Sequence, residues 1–281
     1  MARKTTVREA FPQPPLQALV ERGWDVLRLS HAGAVLDGDF PGAVAELVDV
    51  LSKVSLPISE VIGSGGGETR FTQRLRHALA ARGWSKMQFV ISKAINGQPR
   101  ESISHEVDHV KRFDAGVIAC EIEWNNKDPF FDRDLENFKR LHAEGAISVG
   151  VLITRGRSLQ DALWDAVMRF AIERGVNNFA SLTAQGVAPT PKQRVNIERR
   201  VERAEAPLSF AQAWTDNFVS NKFGQATTHW EKLLARVNRG VGNPCPLLLL
   251  GLPASILEFD AATVEPLGED DPGSDLETKL R

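Results

Sequence analysis

The chain has 281 residues, of which 42% are hydrophobic and 25% charged, and a formal net charge of -2. Those values suit one large domain with a real core, exclude a fibrous or wholly disordered chain, and leave nucleic-acid binding to the distribution of charge rather than its sum. No stretch approaches the roughly 20 apolar residues of a membrane span, and no apolar signal core follows Met1-Ala2-Arg3-Lys4, so a cytoplasmic protein without membrane contact is expected.

Residues 1–60 carry helical patterns: Leu16, Leu19 and Val20, then Val44, Leu47, Val48 and Leu51, spaced by three or four. The turn-rich run Gly63 to Gly67 opens a helix in which Phe71, Leu75 and Leu79 recur every fourth residue until Gly83. Glu68, seven residues before Leu75, falls on the same inward face. A short strand is predicted from Met87 to Ile91, then two extended segments, Ser102 to Phe113 and Val117 to Trp124, hinged at Asp114-Ala115-Gly116 as a β-hairpin. A helix follows from Asp132, striped by Leu135, Phe138 and Leu141 and stopped at Gly145, and then a strand from Ile147 to Thr154.

Ser158, with Asp161 three residues on, marks an N-cap for a helix built on Leu159, Leu163, Val167 and Phe170. Lys192 to Arg203 is a charged helix, read as a solvated face or dimer contact, and Leu247 to Leu250 is a buried strand. The sum is an α/β protein, a mixed β-sheet flanked by helices. The last residues, 258–281, hold eight acids and two bases, which leaves +4 on residues 1–257. An acidic, disordered tail is expected there, behind one domain over 1–257 made of a helical part, 1–60, and a core, 61–257. Cys120 and Cys245 sit apart in apolar settings and read as buried free thiols.

Counting outward from the hairpin turn sets Phe113 against Gly116, Val110 against Ala119, Asp108 against Glu121 and Glu106 against Glu123. Opposed residues share a face, so four carboxylates crowd one patch and call for a cation. Hard oxygen donors suit Mg²⁺, which would activate water and neutralise a phosphate. Glu68 either adds a fifth carboxylate or serves only the helix dipole. The bland alternative is a solvated acidic edge paired with Lys86, Lys93, Lys111 or Arg112, and Asp114 is a rival ligand better explained by turn chemistry. His105-Glu106-Val107-Asp108-His109 also spells the zinc-protease motif, which works only on a helix that sets both histidines on one face.

From Cys120 to Asp128, Phe131 to Leu135, Gly145 to Arg155, Thr227 to Trp230 and Gly240 to Pro246, the chain resembles the BglII/BstYI group of type II restriction endonucleases. The resemblance spans roughly residues 63–253 and implies the PD-(D/E)XK nuclease fold. Carried over, Asp108 and Glu121 become the metal-binding acids, and Glu123 stands where the usual enzyme has lysine, a Glu-X-Glu variant. The implied activity is Mg²⁺-dependent cleavage of double-stranded DNA at a palindromic site by a homodimer, leaving 5′-phosphate ends. A cognate DNA methyltransferase would act on the same site without a stable complex.

For DNA contact, the candidates are Asn125, Asn126 and Lys127 beyond the catalytic strand, Arg155, Arg157 and Ser158 after the next, and Thr227, Thr228 and His229. Asn125-Asn126 is equally at home in an ordinary turn, and Thr227 or Thr228 as a helix cap. A repair or junction-resolving nuclease, a zinc metallopeptidase through His105 and His109, and an inactive DNA-binding module are the alternatives.

Overall fold

The computed structural model describes residues 14–63 and 69–259. Glu68 and the tail beyond residue 259 lie outside the described residues.

Helices α1 (Pro14–Glu21), α2 (Ala32–Asp39) and α3 (Pro41–Leu51) form around a first strand, β1 (Asp25–Leu29). The pair β2 (Leu56–Pro57) and α4 (Ile58–Ile62) precedes α5 (Arg70–Ala80), which is capped by Thr69, whose hydroxyl accepts the Thr72 amide. Next come β3 (Ser85–Ile95), β4 (Gln98–Phe113) and β5 (Gly116–Glu123), then α6 (Phe130–Ala143), β6 (Val149–Arg155) and α7 (Arg157–Glu173). Helices α8 (Phe179–Ala184), α9 (Pro191–Val201), α10 (Phe210–Lys222) and α11 (Trp230–Val237) lead to β7 (Leu247–Leu252) and β8 (Leu257–Glu258).

Six strands make one mixed sheet in the order β1-β7-β6-β5-β4-β3. Its centre, β5-β6-β7, is parallel, and β1, β4 and β3 run antiparallel to their neighbours. The central strands Val149–Arg155 and Leu247–Leu252 are buried throughout, as strands covered on both faces must be. Alternate residues supply the two cores. Ile118, Cys120, Val151, Leu248 and Leu250 face α1 to α5 and α7 to α10, whereas Val117, Ala119, Leu152, Leu247 and Leu249 face α6 and α11.

Residues 14–60 are not wholly helical. β1 joins the main sheet beside β7, its Val26 and Leu27 alternating between faces, a period-two signal too short to compete with the helical spacing around it. Helix α7 begins at Arg157 behind Gly156, so Ser158 lies inside the first turn and is no N-cap. Its hydroxyl instead accepts the Ala254 amide at 3.0 Å. Likewise α11 starts after His229, and neither Thr227 nor Thr228 caps it. No helix among the described residues is long and apolar enough to cross a membrane.

One irregularity governs the site. Ser85 pairs with Val110 but Met87 with Val107, so Asp108 and His109 together oppose Lys86 as a β-bulge. The β4–β5 ladder ends there too, at His109 opposite Cys120. Beyond the bulge β4 keeps only β3, and side-chain alternation along it is reversed.

Candidate active site

The hairpin register 113/116, 110/119 stands as counted up to His109 opposite Cys120, and the counted pair Asp108/Glu121 falls just past the end of the ladder. The main-chain N–H of Asp108 points to Glu121 Oε2 at 3.5 Å, while the Asp108 carboxylate is half-exposed and 3.6 Å from Lys86 Nζ. Glu121 and Glu123 are 5% and 3% exposed, on the face of β5 that α6 covers. Glu106 does not join them. The bulge turns it outward, where it meets Lys86 at 2.8 Å, so the solvated ion pair describes Glu106 and, through the same Lys86, the exposed carboxylate of Asp108 as well. Asp114 sits in the exposed turn at the opposite end of β5.

A residue that sequence reasoning passed over completes the cluster. Asp134, on α6, is 1% exposed and its Oδ2 has no partner. Phe131, Leu135 and Phe138 seat the helix, and Gly150 of β6 lets Phe138 lie against the strand, since a Cβ there would come within 2.5 Å of the ring. The signal was present: position 134 falls within the apolar stripe, three residues after Phe131 and four before Phe138, and a buried acid on such a stripe calls for a reason.

Both oxygens of Glu123 are held. Asn126 Nδ2 donates to Oε2 at 2.6 Å, and Arg133 Nη2 reaches Oε1 at 3.4 Å while its Nε donates to Asp134 Oδ1 at 2.7 Å. The Arg133 guanidinium rests over the Phe130 ring, 4.4 Å from its centroid, and is half-exposed. Burial, reinforced by the charge of Asp134, pushes the carboxyls of Glu121 and Glu123 from 4.5 up to about 9. Burial also raises Asp134, against the pull of Arg133.

This predicts a pH dependence. The folded, metal-free chain retains protons on Glu121 and Glu123 that the unfolded chain releases above about 4.5, so stability must fall as pH rises from about 5 toward about 9. Thermal melts without metal should show that fall, and Glu121→Gln should flatten it. A divalent ion that binds the ionised folded site should restore stability chiefly at the alkaline end. A melting temperature independent of pH over that range would contradict the assignment.

The donor set fits a hard divalent cation: every candidate donor is a carboxylate oxygen, and buried acids crowded together keep their protons unless positive charge arrives. Among the described residues, no three Asp, Glu, His or Cys side chains converge tightly enough to enclose an ion. Mg²⁺ does not need that, since it takes one or two carboxylates and completes its shell with water and substrate phosphate. Zinc fits poorly. His105 and His109 lie in a strand, and the bulge sends them to opposite faces, His105 toward Arg140 of α6 and His109 toward Arg76 of α5. The metallopeptidase alternative is thereby overturned.

The candidate DNA-contacting residues divide sharply. Arg155 is fully buried: Nη2 donates to Thr227 Oγ1 and to the Thr228 carbonyl, both at 2.7 Å, and Nη1 to Asn125 Oδ1 at 3.3 Å. Its guanidinium packs against the rings of Trp124 and Phe223, which meet each other edge-on, and being buried it cannot read a base from there. Thr228 and His229 are buried as well. Arg157 is tied to Asp25 and Glu231, and Ser158 to Ala254. Asn126 and Lys127 remain exposed, on a loop that bridges to Thr227 and places the 125–128 segment beside the end of β5.

No curated protein sequence matches the chain. A protein-family model described as restriction endonuclease BglII/BglIII does match it, over residues 24–252, which takes in the whole main sheet, the acidic cluster and the loop beyond it, and begins well before the motifs that first suggested such a likeness. The chain therefore belongs to the BglII/BglIII restriction endonuclease family.

Proposed function

We propose that this nuclease is a type II enzyme that hydrolyses both strands of double-stranded DNA at a specific palindromic site, using Mg²⁺ bound by Asp108 and Glu121. The observation that carries the proposal is the meeting of the Asp108 N–H with the buried Glu121 carboxylate at the point where β4 parts from β5. When bound there, the metal would lower the pKa of a water and neutralise charge on the scissile phosphate.

The remaining work falls to the side chains. Glu123, held at both oxygens, orients the attacking water and accepts its proton, the part that lysine plays in the commoner pattern. Arg133, half-exposed at the rim, is placed to meet a phosphate oxygen, and guanidinium suits that partner. Cleavage of the P–O3′ bond then leaves a 5′-phosphate and a 3′-hydroxyl. Lys127 offers an exposed donor for DNA, while the Asn126 amide is turned back to Glu123, and two-fold DNA symmetry is matched by a homodimer. A cognate methyltransferase would protect the host's own sites.

Digestion of a plasmid of known sequence tests this. Discrete fragments in Mg²⁺, abolished by EDTA and carrying ligatable 5′-phosphates, are expected. A smear, or cleavage governed by branched structure rather than sequence, would refute the restriction reading in favour of a repair or junction-resolving nuclease.

A further inference from the structure

Asn126 does two things at once. Its side-chain amide gives Glu123 Oε2 the shorter of that residue's two nitrogen contacts, 2.6 Å against 3.4 Å from Arg133. Its backbone is stitched to Thr228, the N–H donating to Thr228 Oγ1 at 3.1 Å and the carbonyl accepting the Thr228 amide at 2.9 Å. Thr228 is fully buried, and its own carbonyl is taken by Arg155, which also grips Asn125 and Thr227. The Asp128 amide adds a bond to the Ala226 carbonyl. The two segments, 125–128 and 226–228, thus form one braced unit around Arg155, and one side chain leads from that unit to the active-site carboxylate.

We infer that Asn126 is a positioning residue that couples the braced loop pair to Glu123, so that the state of the loop on DNA sets the geometry of the acid that handles the attacking water. A hydrogen bond of that length fixes the orientation of the carboxyl group and becomes charge-assisted when the group ionises, and a turn residue without this duty has no need to reach back along the strand. Partners that orient active-site carboxylates typically govern rate by tenfold to a hundredfold. The inference rests on the assignment of Glu123 to the reacting centre.

The test separates binding from turnover. Single-turnover cleavage of a cognate duplex is measured with enzyme saturating, and DNA affinity is measured by fluorescence anisotropy with Ca²⁺ in place of Mg²⁺. Asn126→Ala should slow the saturated step by about 10- to 100-fold with affinity changed by less than about threefold. Asn126→Gln, which keeps a donor, should recover part of the rate. In a Glu123→Gln background, Asn126→Ala should add almost nothing, because the two act as one unit. Equal slowing in both backgrounds would overturn the coupling, as would a loss confined to affinity, which would make Asn126 a DNA-reading residue alone. If Glu123→Gln itself left the saturated rate unchanged, the site assignment would fail, a separate result from failure of the Asn126 link.

Discussion

Glu121→Ala is expected to abolish DNA cleavage, lowering the rate by at least about 10³-fold, while the chain folds and still binds DNA. Glu121 is the acid to which the Asp108 backbone turns, and its carboxyl is one of the two held protonated in the absence of positive charge. Removing it takes away the proposed metal ligand and an unfavourable buried acid together. The metal-free variant should therefore melt no lower than the parent at alkaline pH, even as activity vanishes, an opposition that a misfolded variant would not show. Retained Mg²⁺-dependent cutting would move the reacting centre elsewhere in the fold. Single-turnover assays and metal-free thermal melts check both halves.

Arg155→Ala should be the most damaging change to stability, costing about 3–5 kcal/mol. The guanidinium is wholly buried without a carboxylate partner, and burial brings it down to about 9. Its charge is compensated by the Thr228 carbonyl, Thr227 and Asn125 oxygens and by the rings of Trp124 and Phe223. Alanine leaves those acceptors dry and opens a cavity under both rings. Arg155→Lys keeps a charge but not the three-way fork, so its loss should be smaller but real. Denaturant unfolding is the measurement, and a midpoint unchanged by Arg155→Ala would show that the loops are held by other means.

The elements with long, regular patterns were legible in sequence. The stripe Leu135, Phe138, Leu141 became α6, the stripe Phe71, Leu75, Leu79 became α5, and the hairpin register about Asp114-Ala115 was read correctly by counting. Counting failed at Asp108, where one extra residue in the strand reversed every facing beyond it. That is why Glu106 was placed beside Glu123 and found beside Lys86. Bulges leave little mark in composition, so period-two reasoning passes straight through them. Asp134 escapes sequence reasoning for a different reason: it lies on a helix that the chain folds back over the strand acids. Arg155 suggests guanine by its residue type, whereas a cation packed against aromatic rings and bonded to carbonyl and hydroxyl oxygens serves the scaffold equally well. Only burial distinguishes the two, and burial is a property of the fold.

The bulge at Asp108 and His109 also divides the long hairpin into two parts with separate obligations. Residues from Val110 toward the turn answer to β5 and hold the candidate site in register. Residues from Val107 outward to the Asn96-Gly97 tip pair with β3 alone, and beyond the buried Val107 and His105 most of their side chains are exposed. The outer part can therefore lengthen, shorten or change composition without shifting the carboxylates by a single residue. A protein whose targets must change while its chemistry stays fixed has, in that arm, a segment already insulated from the consequences of change.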